Sequence, residues 1–381
     1  MRVAKIISTD SHIFEPPDLW TKRIDVKFRD RAPHVVYGEG DKPDYWFCDG
    51  NRLMSMAGGA NAGVRFEGQG KLRQACKYTD VRPGSNEPSA KIKDMDADGI
   101  WGEALYPTVP LRLWRIPDSE LFSANCRAYN DWLAEFCNAY PARLKGLAMV
   151  NVDDIHDGVQ EMERAAKLGL AGVIITVGPP EGRSHDQQIY EPFWAAAQEA
   201  GMPIHLHQTT NRAQIQMASR TMGNVPFASV LSSPAAMVTS SHWVQLALAN
   251  MVFAGIFDRY PKLKAVSAHF EAGWAPHLME SLDFQYTQRG LSADYPRFRN
   301  QAVPSDFFGP NVLISFQEDA IAMHMRDVIG ADALMWGSIY PHPDSTFPRS
   351  REILAKLMKD VPEEEQKKML HDNAAMLYGF Q

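Results

Sequence analysis

The sequence predicts an α/β fold, a (β/α)8 TIM barrel with an irregular insertion after strand 1, and two observations carry that expectation. Apolar, β-branched runs begin near residues 4, 102, 144, 171, 203, 263, 312 and 334, with helical segments between most of them. His and Asp residues also fall at the ends of several of these runs, where a parallel α/β barrel keeps its chemistry. An open doubly wound sheet is the runner-up.

The first run, Ala4 to Ser8, leads into Asp10 and His12. Residues two apart on an extended backbone share a face, so a carboxylate and an imidazole converge there. Standing alone, the same stretch reads equally as a turn with a capping Asp and a surface His. Residues 21 to 90 mix charge, Gly and Pro, including GGANAG at 58–63 and RPGSNEP at 82–88. A structureless loop of that length is improbable in a compact domain, so a small subdomain or a cover over a site is expected. Tyr45, Trp46, Phe47, Arg65 and Phe66 would line its inner surface or, more plainly, form its core.

From residue 90 the pattern alternates. Helical periodicity covers 90–98, 125–137, 158–168, 191–200, 238–259, 274–288, 320–329, 350–359 and 362–378. Strand-like runs cover 103–106, 144–151, 171–176, 203–207, 263–269, 312–316 and 334–338. Residues 1–381 are expected to form a single barrel domain, with 21–90 as an insertion or cap.

Hydrophobic residues at 45% and charged residues at 22% are ordinary for a soluble globular protein. A net charge of -7 without a basic block argues against nucleic acid and against an anionic membrane surface, leaving a small-molecule substrate. Cys48, Cys76, Cys126 and Cys137 show neither metal spacing nor a disulfide pattern and read as reduced thiols. With no apolar leader after Met1 and no run of spanning length, a cytoplasmic location is expected.

Candidate site residues sit at four strand ends: Asp10 and His12 at the first, His205 and His207 at the fifth, His269 at the sixth, and His342 and Asp344 beyond the eighth. Any one of these histidines is more often a core or surface residue than a ligand. Four strand ends in register point instead to one divalent metal site. Other residues have plainer readings. Glu15 caps the turn at Pro16–Pro17, Trp274 packs on the rim, Glu103 faces the interior or pairs with an Arg, and His277 is structural. Met217 and Met222 form an adaptable pocket wall or ordinary packing.

DSHIFEPPDLW at Asp10, YPTVP at Tyr106, HLHQTT at His205, PKLKAVSAHFEAGWAPHLMESLD at Pro261, LMWGSIYPHPD at Leu334 and LHDNAAMLYGF at Leu370 span nearly the whole chain. In these stretches the chain resembles the amidohydrolase superfamily, in its branch of metal-dependent TIM-barrel hydrolases and decarboxylases such as aminocarboxymuconate semialdehyde decarboxylase. The resemblance implies a metal held by Asp10, His12, His207 and His269. It places His269 near the metal as a ligand or as the catalytic group that polarises water and substrate, and makes His205 a possible second contact; Glu15 is a further catalytic candidate, and His205, Trp274 and His342 are candidate substrate contacts. It also implies a homodimer. The chain departs from the family at Ile339, where the resemblance implies an Asp that binds the metal and manages a proton. Isoleucine has neither a lone pair nor a titrating group.

The metal is then held by the four remaining ligands, or the site is rebuilt with Glu15, His342 or Asp344, or the protein is a natural or engineered inactive form. The first is preferred, because three or four ligands still fix a metal with an open position. Zinc is the first expectation for the ion, with manganese, iron and cobalt suited to the same donors. The expected function is a metal-dependent hydrolase acting on an amide, ester or thioester-like carbonyl. The alternatives are a non-oxidative decarboxylase of an aromatic or unsaturated acid, against which Ile339 weighs more heavily, and a barrel that binds ligand without turnover.

Overall fold

The computed structural model describes residues 3–213, 221–222, 225–226, 234–288 and 296–381. Eight parallel strands form one sheet in chain order: β1 (Ile7–His12), β2 (Gly102–Tyr106), β3 (Leu144–Met149), β4 (Gly172–Ile175), β5 (Ile204–His207), β6 (Ala265–Ala268), β7 (Val312–Phe316) and β8 (Leu334–Trp336). Each begins within three residues of its expected start. Helices connect them, and the architecture is a nearly closed TIM barrel. Every residue of the eight strands is buried except Lys145, as expected of strands packed on both faces.

Two compact units make up the chain. Residues 1–149, 167–171 and 335–381 carry β1 to β3 and most of β8; residues 150–166 and 172–334 carry β4 to β7.

In the first unit, β1 extends further than its apolar content suggests, taking in Thr9, Asp10, Ser11 and His12. Polar residues are tolerated there because they bond one another and the chain around β8. Ser8 and Ser11 hydroxyls lie 2.8 Å apart, and Ser8 Oγ accepts from the Ser338 N–H at 2.8 Å. The Thr9 hydroxyl donates to Trp336 O at 3.1 Å, and the Ile339 N–H to Asp10 O at 2.7 Å. Gly337 permits this approach, since a Cβ on it would stand 2.5 Å from Asp10 Cβ.

The 21–90 segment contains a three-stranded antiparallel sheet, His34–Val36, Tyr45–Cys48 and Asn51–Ser55, followed by a short helix at Ala57–Ala60. Trp46 is fully buried and meets Trp20 edge-on at 5.6 Å, so the aromatic stretch supplies core. Gly59, in the GGANAG run, lies flat on Phe14, with 2.7 Å between its would-be Cβ and Phe14 Cγ.

Beneath the end of β1, Lys91 on the helix Pro88–Asp98 is completely buried and pairs with Glu103 of β2 at 2.8 Å. Glu103 thus pairs with a Lys, where the expectation was an inward-facing carboxylate or a pairing with an Arg. The Lys91 ammonium also donates to His12 O at 3.0 Å and lies 4.5 Å from the Tyr340 ring centre.

In the second unit, β4 pairs with β5 (Ile174 with His205), β5 with β6 (His207 with Ala268) and β6 with β7 (Ala265 with Val312). The expected 238–259 helix is divided into Ser241–Phe253 and Ile256–Arg259, because Gly255 takes a left-handed conformation with φ of 69°. Met217 lies outside the described residues; the backbone of Met222 pairs with Val225 in a two-stranded ribbon. Among the described residues the four cysteines form no disulfide, and no helix is long and apolar enough to cross a membrane.

The Lys91–Glu103 pair yields a stability prediction. Lys91→Met leaves a buried carboxylate without its cation and should lower unfolding free energy by about 3–5 kcal/mol in urea denaturation. Lys91→Met with Glu103→Leu should recover most of that loss, since the double change removes both charges.

Candidate metal and substrate site

Asp10 and His12 stand at the C-terminal end of β1, both buried, with Asp10 Oδ1 3.2 Å from His12 Nε2. The His12 ring is held from behind by a 2.8 Å bond between Nδ1 and Pro107 O. A carbonyl only accepts, so Nδ1 carries the hydrogen and Nε2 is the nitrogen turned to the Asp10 carboxylate. Two lone pairs at that distance repel unless a proton or a cation stands between them.

His207 ends β5, and His269 follows β6 in a left-handed conformation with φ of 67°; their ring centres are 5.0 Å apart. One ligand atom from each of Asp10, His12, His207 and His269 lies within 4.8 Å of all the others. One carboxylate and three imidazoles are a donor set suited to a divalent first-row ion, and the Nδ1 anchor on His12 is the outer contact that commonly orients such ligands. The residues present therefore fit a divalent metal. These are the same four ligands that the resemblance implies.

The remaining candidates divide between the site and its surroundings. His342 stacks on His12 with ring centres 4.1 Å apart, and its Nε2 lies 3.0 Å from the Thr108 hydroxyl. Glu15 does not cap its own Pro16–Pro17 turn. Its carboxylate reaches the segment after β2, accepting from the N–H groups of Thr108 at 3.1 Å and Val109 at 2.9 Å. Burial pushes the Glu15 carboxyl up to about 8, against the pull of those two donors. Its geometric role is to position Thr108, and through it His342. Asp344 offers its backbone carbonyl to Arg65 at 2.7 Å.

His205 shares the inward face of β5 with His207 but lies one pleat deeper, about 7 Å along the strand. Its Nε2 is 2.8 Å from the position a Cβ would take on Gly172, at the start of β4. The structure thus places it below the ligand cluster. Trp274 donates through Nε1 to Glu271 O at 2.9 Å, bracing the turn after His269. The Glu271 carboxylate accepts from the Gln317 N–H, and burial holds its carboxyl above the usual range.

Ile339 occupies the turn after β8, 7% exposed, with φ of 62°. A β-branched side chain is an outlier in the left-handed region, where Gly, Asn and Asp are at home. The backbone of this turn is therefore shaped for a residue other than the one it carries. Pro107 and Thr108 lie inside the YPTVP stretch but were not singled out as site residues. Their roles require a carbonyl and a hydroxyl in particular orientations, and no spacing in the sequence reports those.

The family model described as Amidohydrolase matches residues 78–380. A curated relative, the gamma-resorcylate decarboxylase of a Polaromonas species, is 26% identical over 260 residues, covering 66% of this chain and 76% of the relative. Among solved structures, an amidohydrolase from Mycobacterium avium subsp. paratuberculosis aligns with a TM-score of 0.76 at 23% identity, over 99% of this chain and 98% of that one. A dihydroxybenzoic acid decarboxylase from Polaromonas, solved with bound manganese and the inhibitor 2-nitroresorcinol, aligns with a TM-score of 0.64 at 19% identity, over 99% and 97%. At these identities the two structures speak for the fold, and the family match stands on most of the sequence: the chain belongs to the amidohydrolase family.

Proposed function

We propose that this protein is a metal-dependent, non-oxidative decarboxylase of a hydroxylated aromatic or unsaturated carboxylic acid. The observation that carries the reading is the convergence of Asp10, His12, His207 and His269 within 4.8 Å. The similarity to a gamma-resorcylate decarboxylase favours carbon dioxide release over hydrolysis. The reading treats residues 1–381 as one catalytic domain.

A divalent ion bound by these residues would supply positive charge to fix and polarise an acid chelated through neighbouring oxygens. Zinc suits the donors, and manganese is the second ion to test. His12, locked in one tautomer by Pro107 O, offers a lone pair of fixed direction. In the overall change the bond between the substrate carbon and its carboxyl breaks, and the electron pair stays on that carbon. The carbon takes up a proton, and carbon dioxide leaves. Ile339 carries no proton to give, so delivery falls to an imidazole, and His269 is our assignment. Thr108 and His342 form a polar edge beside His12, with Glu15 holding Thr108 in place.

A second reading rests on Ile339 itself: a barrel that binds the acid but turns it over poorly. A homodimer is kept in the proposal, supported by exposed Phe284, Ile321 and Val328 on helical segments of the second unit.

With manganese or zinc added, purified protein should release carbon dioxide from a panel of hydroxybenzoates, measured by coupled assay or substrate absorbance. His12→Ala or His207→Ala should abolish release and lower metal content by elemental analysis. A metal-loaded protein inert on every acid, yet active on esters or amides, would return the hydrolase reading to first place. Ile339→Asp should tighten metal binding about tenfold or more in calorimetry, by adding a carboxylate donor. If it also creates turnover where the original chain shows only binding, the second reading holds.

A further inference from the structure

Asn211 lies four residues beyond His207, in the segment that continues β5. It is 2% exposed, and among the described residues neither its Oδ1 nor its Nδ2 has a hydrogen-bond partner. Leaving one buried polar group unsatisfied costs about 1–3 kcal/mol. Such a group in a native fold calls for a partner, commonly a ligand or a trapped water.

The surrounding backbone is firmly held. Gly178 and Asn211 form a parallel bridge past the ends of β4 and β5. The N–H groups of Arg212 and Ala213 both donate to Gly178 O, at 2.9 and 3.0 Å. The Thr210 hydroxyl donates to Ile175 O at 3.0 Å and His207 O at 2.9 Å, while Arg212 pairs with Asp153. The side chains on either side of Asn211 are therefore tied to the scaffold. Gly178 leaves space for the amide: a Cβ there would come within 2.5 Å of Asn211 Oδ1.

A carboxamide offers one acceptor oxygen and one donor nitrogen, a pairing matched by a group that both gives and receives a hydrogen bond. A hydroxyl does so. We infer that Asn211 is a specificity residue that takes a hydroxyl of the acid bound at His207 and its neighbours. The inference rests on the proposed decarboxylase reading and narrows its substrates to those with a hydroxyl on the ring or on an enol.

Asn211→Leu keeps the side chain's approximate shape and removes both polar ends. Binding of 2,6-dihydroxybenzoate and of benzoate to manganese-loaded protein would be measured by calorimetry, alongside thermal melting. The expected result is a loss of about tenfold in dihydroxybenzoate affinity, unchanged benzoate affinity, and a melting temperature no lower than that of the original chain. The inference is overturned if the variant keeps the original preference for the hydroxylated acid. It is also overturned if the variant melts lower and weakens both acids equally, as loss of a water-bridged structural amide would produce, or if the original chain does not prefer the hydroxylated acid. Carbon dioxide release with an unchanged preference in the variant would sink this inference alone. Preference lost in the variant, with no release by either protein, would sink the decarboxylase reading and leave the hydroxyl contact standing.

Discussion

The candidate site depends on the immobilisation of one imidazole. His12 donates its backbone N–H to Tyr340 O at 2.6 Å, receives the Lys91 ammonium on its carbonyl at 3.0 Å, and anchors Nδ1 on Pro107 O at 2.8 Å. His342 covers one face of its ring. These contacts come from the chain after β8, the helix before β2 and the chain after β2. Each removes a different freedom: rise of the strand, tilt of its end, and rotation of the ring. The remaining nitrogen, 3.2 Å from Asp10, is thereby preorganised without a contribution from the ligand it would hold. The buried Lys91–Glu103 pair belongs to this support. An ion pair in the interior is weak evidence for stability, but its geometry fixes where the end of β1 lies.

Left-handed residues mark two of the strand ends. His269 and Glu271 after β6, and Ile339 after β8, all have φ between 56° and 67°. Such conformations in residues with a Cβ persist only where the surroundings over-determine them, and they gather at functional sites. His269 and Glu271 are polar and suit such a turn. Ile339 does not, and its backbone keeps the turn despite the branched side chain because the Ile339 N–H is held by Asp10 O and Ile339 O by the His342 N–H.

Periodicity made the frame legible. The starts of the eight strands and the helix Glu191–Ala200 follow from apolar runs bounded by Gly and Pro, which report burial directly. The candidate ligand positions were legible because strand-end position is a property of order along the chain, and the choice of His207 over His205 followed the family resemblance. The extent of β1 was not, since Ser8 and Ser11 look like turn residues until their hydroxyls find one another and Ser338. His205 and Glu15 show the same limit. The pleat sets the depth of His205, and the Glu15 carboxylate reaches Thr108 and Val109, whose N–H groups leave no trace in sequence. Asn211 directly follows the stretch HLHQTT, yet only burial distinguishes it from any loop asparagine.

Ile339, where the family resemblance implies an Asp, bears on the two chemistries unequally. Taken as a missing proton donor, the lost Asp counts more heavily against decarboxylation. Hydrolysis, however, needs a base before its first bond can form, because a water must lose a proton as it attacks. Decarboxylation deprotonates no water: the substrate carbon takes up a proton as its carboxyl leaves as carbon dioxide, so the step asks for a proton donor and not for a base. Ile339 serves neither reaction. In the proposed reading the His269 imidazole gives that proton. The proposed hydroxyl contact at Asn211 would then hold the acid on the same unit that carries His207 and His269.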